Sequence, residues 1–395
     1  MLVGIVGKPN VGKSTFFKAL TLAEVEIAPY PFTTINKNEG IAFVRTECIE
    51  KELKVKCNPR YGYCINGKRF IPVKIIDVAG LVPGAHLGKG KGNKFLDDLR
   101  EADVLIHVLD ASGKSDEQGR EVDNYDIVRD IKFLQEEIDM WMYSIIGKDW
   151  QQFVRKTQGF GSMTKELAKK LSGLKINENL IKKVINTLDL SERAIDWDDL
   201  QLLEFVREIR KLSKPIIIAA NKIDRPESHK NIERLKQEFQ DLIIIPCCAE
   251  AELALREAAR DGLISYIPGD NEFKILEERK LNKQQKEALH FINENIIKKY
   301  NGTCIQQCLD TAVFNFLKQI VVYPVENEHH YSDKNGNVLP DAILMPQNST
   351  ALDLAYAIHT EIGKNFIAAI DAKTHKRLAR DYILRNNDVI RVLTK

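Results

Sequence analysis

The sequence predicts an α/β protein: a doubly wound parallel sheet, interrupted by a helical insertion and followed by a small α+β unit. Three observations carry this. The short apolar runs Val3 to Val6, Gly40 to Val44, Phe70 to Ile76, Val104 to Leu109, Ile216 to Ala220 and Leu242 to Cys248 alternate with helical patterns, as the strands of parallel sheets do. The stretch from Asp110 to Lys214 is helical by pattern and, at about 100 residues, too long for a loop. From Lys318 onward, strand-like segments crowd around the turn Asp333-Lys334-Asn335-Gly336.

The first strand runs into Gly7-Lys8-Pro9-Asn10-Val11-Gly12-Lys13-Ser14, and Ser14 to Leu22 reads as a helix. This is a full G-x-x-x-x-G-K-[ST] match between a strand and a helix, the context that makes it a phosphate-binding loop of the P-loop NTPase fold. Glycines let backbone N–H groups close around phosphate oxygens, and the helix points its positive end at the same anion. Gly7, Asn10, Val11, Gly12, Lys13, Ser14 and Thr15 are the expected phosphate set. Lys13 should reach the β and γ phosphates, and Ser14 should ligate Mg²⁺.

Phe70 to Ile76 ends in Asp77-Val78-Ala79-Gly80. Asp77 is expected to hold the Mg²⁺, and Gly80 to offer its N–H to the γ-phosphate. Thr33 and Thr34 lie between these motifs, and Thr34 is favoured as a further Mg²⁺ ligand. His107, inside the strand Val104 to Leu109, is a candidate for hydrolysis; the alternative is a core histidine. Ile216 to Ala220 ends in Asn221-Lys222-Ile223-Asp224. A carboxylate accepts from guanine N1 and N2, whereas adenine N1 is itself an acceptor, so Asp224 would select GTP and GDP. Lys222 should pack along the purine, and N–H groups near Cys248 and Ala249 should meet guanine O6.

In the insertion, Ile127, Ile131, Leu134, Ile138, Trp141 and Ile145 recur at spacings of four and three, one apolar helix face. Lys182 to Leu190 and Leu200 to Leu212 read as further helices. Residues 148–189 carry nine Lys/Arg against four Asp/Glu, either a solvated face or a phosphate-backbone surface. In the last unit Ile320 to Pro324, Phe366 to Asp371 and Asp388 to Leu393 read as strands and Ala351 to Ile362 as a helix. The expected division is 1–112 with 213–317, an insertion 113–212, and a C-terminal domain 318–395.

A chain of 395 residues with 44% apolar content has room for two or three domains. Net charge is only +2, so nucleic-acid affinity would come from local patches; no DNA partner is expected. The phosphate loop begins almost at the first residue, which leaves no signal peptide, and no apolar run reaches membrane-spanning length. Seven scattered cysteines fit a reduced, cytoplasmic protein. Cys57 and Cys64 flank residues 59–63 with Cys48 nearby, but zinc needs about four ligands and no convincing His or Cys completes the set.

The stretches Gly4 to Thr15, Tyr30-Pro31-Phe32-Thr33-Thr34 and Asp77 to Ala85 resemble the Obg superfamily of translation-factor GTPases. The helical insertion resembles the YchF branch, and the C-terminal unit, through Val338-Leu339-Pro340, Ala351 to Thr360 and Asn387 to Ile390, resembles a ubiquitin-like TGS domain. The resemblance implies a Mg²⁺-dependent switch protein that works with ribosomes or structured RNA. It supports Thr34 as the Mg²⁺ ligand and matches a His at position 107. YchF proteins carry a degraded Asn-x-x-Glu base motif and prefer ATP; this chain keeps Asn221-Lys222-Ile223-Asp224, which implies a GTP-specific, archaeal-like relative. Many small GTPases orient water with a Gln after Asp-x-x-Gly. Here Leu81 stands there, as in the family, so unassisted hydrolysis should be slow. Asn10 could then help bind K⁺, adding positive charge near the β–γ bridge. The competing readings are a YchF-type ATPase and a nucleotide-gated RNA-binding module with negligible turnover. Gly84 to Lys94, rich in Gly and Lys, reads as a nucleotide-gated switch segment.

Overall fold

The computed structural model describes residues 1–22, 38–78, 92–158 and 162–395, with only the helical backbone of residues 92–94. Thr33, Thr34, Gly80, Leu81 and the switch residues 84–91 lie outside the described residues. The chain divides into two compact units, residues 1–17 with 75–250, and residues 18–74 with 251–395.

In the first unit four parallel strands stand side by side: Leu2–Val6, Val104–Asp110, Ile216–Asn221 and Ile244–Pro246. Every residue of the first three is buried, which is why they read as unbroken Val/Ile/Leu runs rather than alternating ones. Each fully buried aliphatic side chain contributes about 1.5–3 kcal/mol. The register pairs Asp110 with Asn221, so these strands end level and deliver their loops to one edge, where parallel sheets bind ligands. The last strand is shorter than the predicted Leu242 to Cys248.

The insertion is helical, as its pattern predicts. Its first helix, Val128–Gly147, buries Val128, Ile131, Leu134, Ile138, Trp141, Met142 and Ile146. Ile145 is only half-buried and Ile146 takes its place, because a 3.6-residue turn drifts against a strict four-three repeat. Asn177 caps Glu178–Thr187, so that helix starts before the predicted Lys182, and Asp198 and Gln201 form a capping box on Asp199–Ser213. A buried ion pair of 2.8 Å, Asp139 with Arg210, joins the first and last of these helices.

In the second unit, Tyr63–Ile65 pairs antiparallel with the strand that starts at Lys68. The turn between them is Asn66-Gly67, both at positive φ. Asn-Gly is a two-residue hairpin signal, here short enough to be hidden beside the longer apolar run that follows it. In the C-terminal part, Gln319–Val325 lies between Ile343–Pro346, antiparallel, and Asp388–Thr394, parallel. Asp388–Thr394 pairs antiparallel with Phe366–Asp371. Val322, Met345, Leu354, Ala369, Leu384 and Ile390 form its core. The predicted helix Ala351 to Ile362 is two helices, Ala351–Ile358 and Thr360–Lys364. His359 takes extended backbone between them and its Nδ1 accepts from the Glu361 N–H at 3.2 Å, capping the second. Among the described residues no helix is long and apolar enough to cross a membrane.

Candidate functional site

The loop that leaves Leu2–Val6 turns with Asn10 at φ 64° and Gly12 at φ 90°. A Cβ on Gly7 would stand 2.6 Å from the Val108 carbonyl, and one on Gly12 would strike the Asn221 amide. Both positions therefore require glycine. The helix Lys13–Thr21 begins where the loop closes. Its first residue, Lys13, donates to the Asp77 carboxylate and, at 2.7 Å, to the Val78 carbonyl. The predicted phosphate-binding cation and the predicted Mg²⁺ carboxylate are thus side by side.

Asn221 ties this loop to the next one. Its Nδ2 donates to the Val11 carbonyl and its Oδ1 accepts from the Ala249 N–H, both at 2.9 Å and both buried. Lys222 follows at φ 66°. Its ammonium donates to the Asn10 carbonyl at 2.7 Å and to Asp110 Oδ2 at 2.8 Å. Burial alone would raise the Asp110 pKa, but hydrogen bonds from Lys222, Ser112 and Ser115 outweigh it and hold the carboxyl below its usual range. Asp224 accepts from the Cys248 thiol at 3.4 Å and sits 3.5 Å from the Arg225 guanidinium.

Gly12, Lys13, Ser14 and Thr15 line one cleft of about 450 Å³ together with Asn221, Lys222, Asp224, Cys248 and Ala249. A cation at a helix N-terminus and a carboxylate line the same cleft, an arrangement that can take an anion and a hydrogen-bonding base together. The Ser14 hydroxyl and Asp77 carboxylate are hard oxygen donors of the kind Mg²⁺ takes.

Two contributors are not apparent from the sequence, and a third residue, Asn10, has a partner that the sequence does not announce. Asp110 reads there only as a strand end, yet its register opposite Asn221 places it under Lys222. Lys8 is buried, 2.8 Å from Asp130 and 3.8 Å from the Tyr125 ring centre, and donates to the Ser115 carbonyl at 2.7 Å. Asp130 and Tyr125 come from the start of the insertion, and no local pattern announces such long-range partners. Asn10 donates from Nδ2 to the Gly119 carbonyl at 2.8 Å, a second tie between loop and insertion.

His107 is not brought to the cleft lining. It is buried in mid-strand, opposite Val6 and Ile218. Burial first, and then the charge of Lys8, lower its pKa from 6.5 to about 3. The folded chain therefore refuses a proton that the unfolded chain accepts between those values. Stability from this group is complete above pH 6.5 and falls as pH drops, by up to about 1.4 kcal/mol per unit. Urea unfolding at pH 7 and pH 5 should show wild type losing about 2 kcal/mol more than His107→Leu; equal losses would contradict the assignment.

The basic insert is partly neutralised from within. Lys169 pairs with Glu166 and Lys182 with Glu178, each at 2.7 Å, and Lys170 donates to the Ile146 carbonyl at 2.8 Å.

Three protein-family models match the chain. They are described as 50S ribosome-binding GTPase over residues 2–140, Obg-like GTPase YGR210-like, G4 motif-containing domain over 219–327, and TGS domain over 330–394. A GTP-binding protein of Methanocaldococcus jannaschii is 54% identical over 393 residues, covering 100% of this chain and 99% of its own length. The ribosome-binding ATPase YchF of Haemophilus ducreyi is 29% identical over 269 residues, covering 67% of this chain and 69% of its own. The crystal structure of a GTP-binding protein from Pyrococcus horikoshii matches with TM-score 0.79 at 39% identity, over the whole of both chains.

Proposed function

Because the chain belongs to the YchF branch of the Obg-like GTPases, we propose that it is a guanine-specific switch that hydrolyses GTP slowly and acts on a ribosomal or structured-RNA partner. The observation that carries the base choice is Asn221, bonded to both Val11 and Ala249, with Asp224 lining the same cleft. Lys13 and the loop N–H groups would bind the β and γ phosphates. Ser14, Asp77 and Thr34 would hold Mg²⁺, which when bound supplies positive charge to the transferring phosphoryl group. Gly80 would donate its N–H to the γ-phosphate. Leu81 cannot hydrogen-bond a water, so turnover waits on a partner.

Asn10 is proposed to bind K⁺ through its amide oxygen, since its amide nitrogen is already given to Gly119. GTP turnover should be faster in KCl than in matched NaCl, and Asn10→Ala should erase the difference. Identical wild-type rates in the two salts would remove potassium from the mechanism.

The ribosomal reading rests on relatives whose names include ribosome binding and on the basic insert. Of the insert lysines, Lys183 is the cleanest to reverse, because Lys169, Lys170 and Lys182 serve intramolecular partners. Co-sedimentation with ribosomes should weaken in Lys183→Glu. The salt slope of binding should flatten by about one unit for each RNA phosphate that is no longer neutralised. Nucleotide affinity should not change. Unchanged association across salt would leave this face merely solvated.

A further inference from the structure

Away from the cleft, in the second unit, a loop and hairpin bring three thiols and one carboxylate together. Cys48 follows the strand Glu39–Glu47, Glu50 opens a single helical turn, Cys57 lies in the next loop, and Cys64 is on the strand Tyr63–Ile65. One ligand atom from each lies within 4.8 Å of all the others. We propose that Cys48, Glu50, Cys57 and Cys64 form a structural zinc site.

The distances agree with tetrahedral zinc. Bonds near 2.3 Å to sulfur and 2.1 Å to oxygen set S···S edges of about 3.8 Å and S···O edges of about 3.6 Å. The structure has Cys48 Sγ 3.7 Å from Cys57 Sγ, and Cys64 Sγ 3.6 Å from Glu50 Oε1. The other Glu50 oxygen accepts from the Cys57 N–H at 3.0 Å, which orients the carboxylate. The cysteines are free thiols. Cys48 donates its thiol proton to Cys57, and Cys64 donates to Glu50. Zn²⁺ would take the place of the thiol protons, which leave to water. Two wholly buried donors close by, Arg69 Nε and the Tyr323 hydroxyl, have no hydrogen-bond partner among the described residues. A zinc-bound thiolate sulfur is an acceptor that such donors suit.

With four protein ligands the site has no open position, so its role is structural. The segment it would hold lies against the C-terminal domain. Asn58 N–H donates to the Val338 carbonyl and Arg60 N–H to the Pro340 carbonyl, each at 2.8 Å, and Arg60 pairs with Asp341. Zinc would fix the shape of the loop that makes these bonds.

The test uses the full chain, purified under reducing conditions, stripped with a chelator and reloaded with Zn²⁺ or Co²⁺. The expected result is about one zinc per chain by elemental analysis, and for cobalt a thiolate charge-transfer absorption with tetrahedral ligand-field bands. Cys57→Ser with Cys64→Ser should lose both signals while still binding GDP, and Cys304→Ser should keep them. Wild type without a cobalt–thiolate spectrum, or a double variant that keeps its zinc, would overturn the proposal. Should the double variant not fold, the wild-type cobalt spectrum decides alone.

Discussion

Asn221→Ala should cost the nucleotide unit roughly 2–6 kcal/mol, because it leaves a buried carbonyl at Val11 and a buried N–H at Ala249 without partners, at about 1–3 kcal/mol each. Gly12 approaches the Asn221 amide so closely that no Cβ fits between them, so the phosphate loop rests directly on this side chain. The loss should appear both in urea unfolding and as at least a tenfold weaker titration of fluorescent GDP, about 1.4 kcal/mol. Asn221→Asp should rescue little: it keeps the acceptor for Ala249 but sets a carboxylate oxygen against the Val11 carbonyl. Wild-type affinity in Asn221→Ala would show that the two loops hold their places without it.

The second large effect is expected at Asp224. Guanine offers two donors, N1–H and the N2 amino group, and a carboxylate accepts both. Asn at this position accepts one and opposes the other with a donor. GTP affinity should fall roughly tenfold to a hundredfold, as expected for a charged hydrogen-bond pair worth about 1.5–3 kcal/mol. Xanthosine triphosphate, with a carbonyl where guanine has its amino group, should gain. An Asp224→Asn variant that keeps guanine preference would place base selection elsewhere in the cleft.

The parts of this protein that are legible in sequence are those where local chemistry and fold coincide. Gly7 to Ser14 and Asn221 to Asp224 each follow a strand whose every residue is buried, so periodicity and motif point to one edge of one sheet. The insertion is legible because a helix face repeats within a few residues. Much of what escapes depends on distant chain, and the rest on local caps and turns. Asp110 matters through its register with Asn221, and Lys8 through a carboxylate delivered by the insertion. His359 breaks a helix because its ring caps the next one, a choice that helix propensity does not record. Cys48, Cys57 and Cys64 stand out in the sequence, but no fourth ligand is visible beside them there. Glu50 reaches them only because a single helical turn, ended by Lys54 in the left-handed conformation, folds the chain back on itself.

Guanine selectivity is the claim on which the functional account turns, and competition binding measures it directly. Fluorescent GDP bound to wild type should be displaced by GTP at least about tenfold more effectively than by ATP, since the site rejects a base that leaves Asp224 unpaired. Equal displacement by ATP and GTP would contradict the account and make the Asn221 to Asp224 segment a structural bridge without a role in choosing the base.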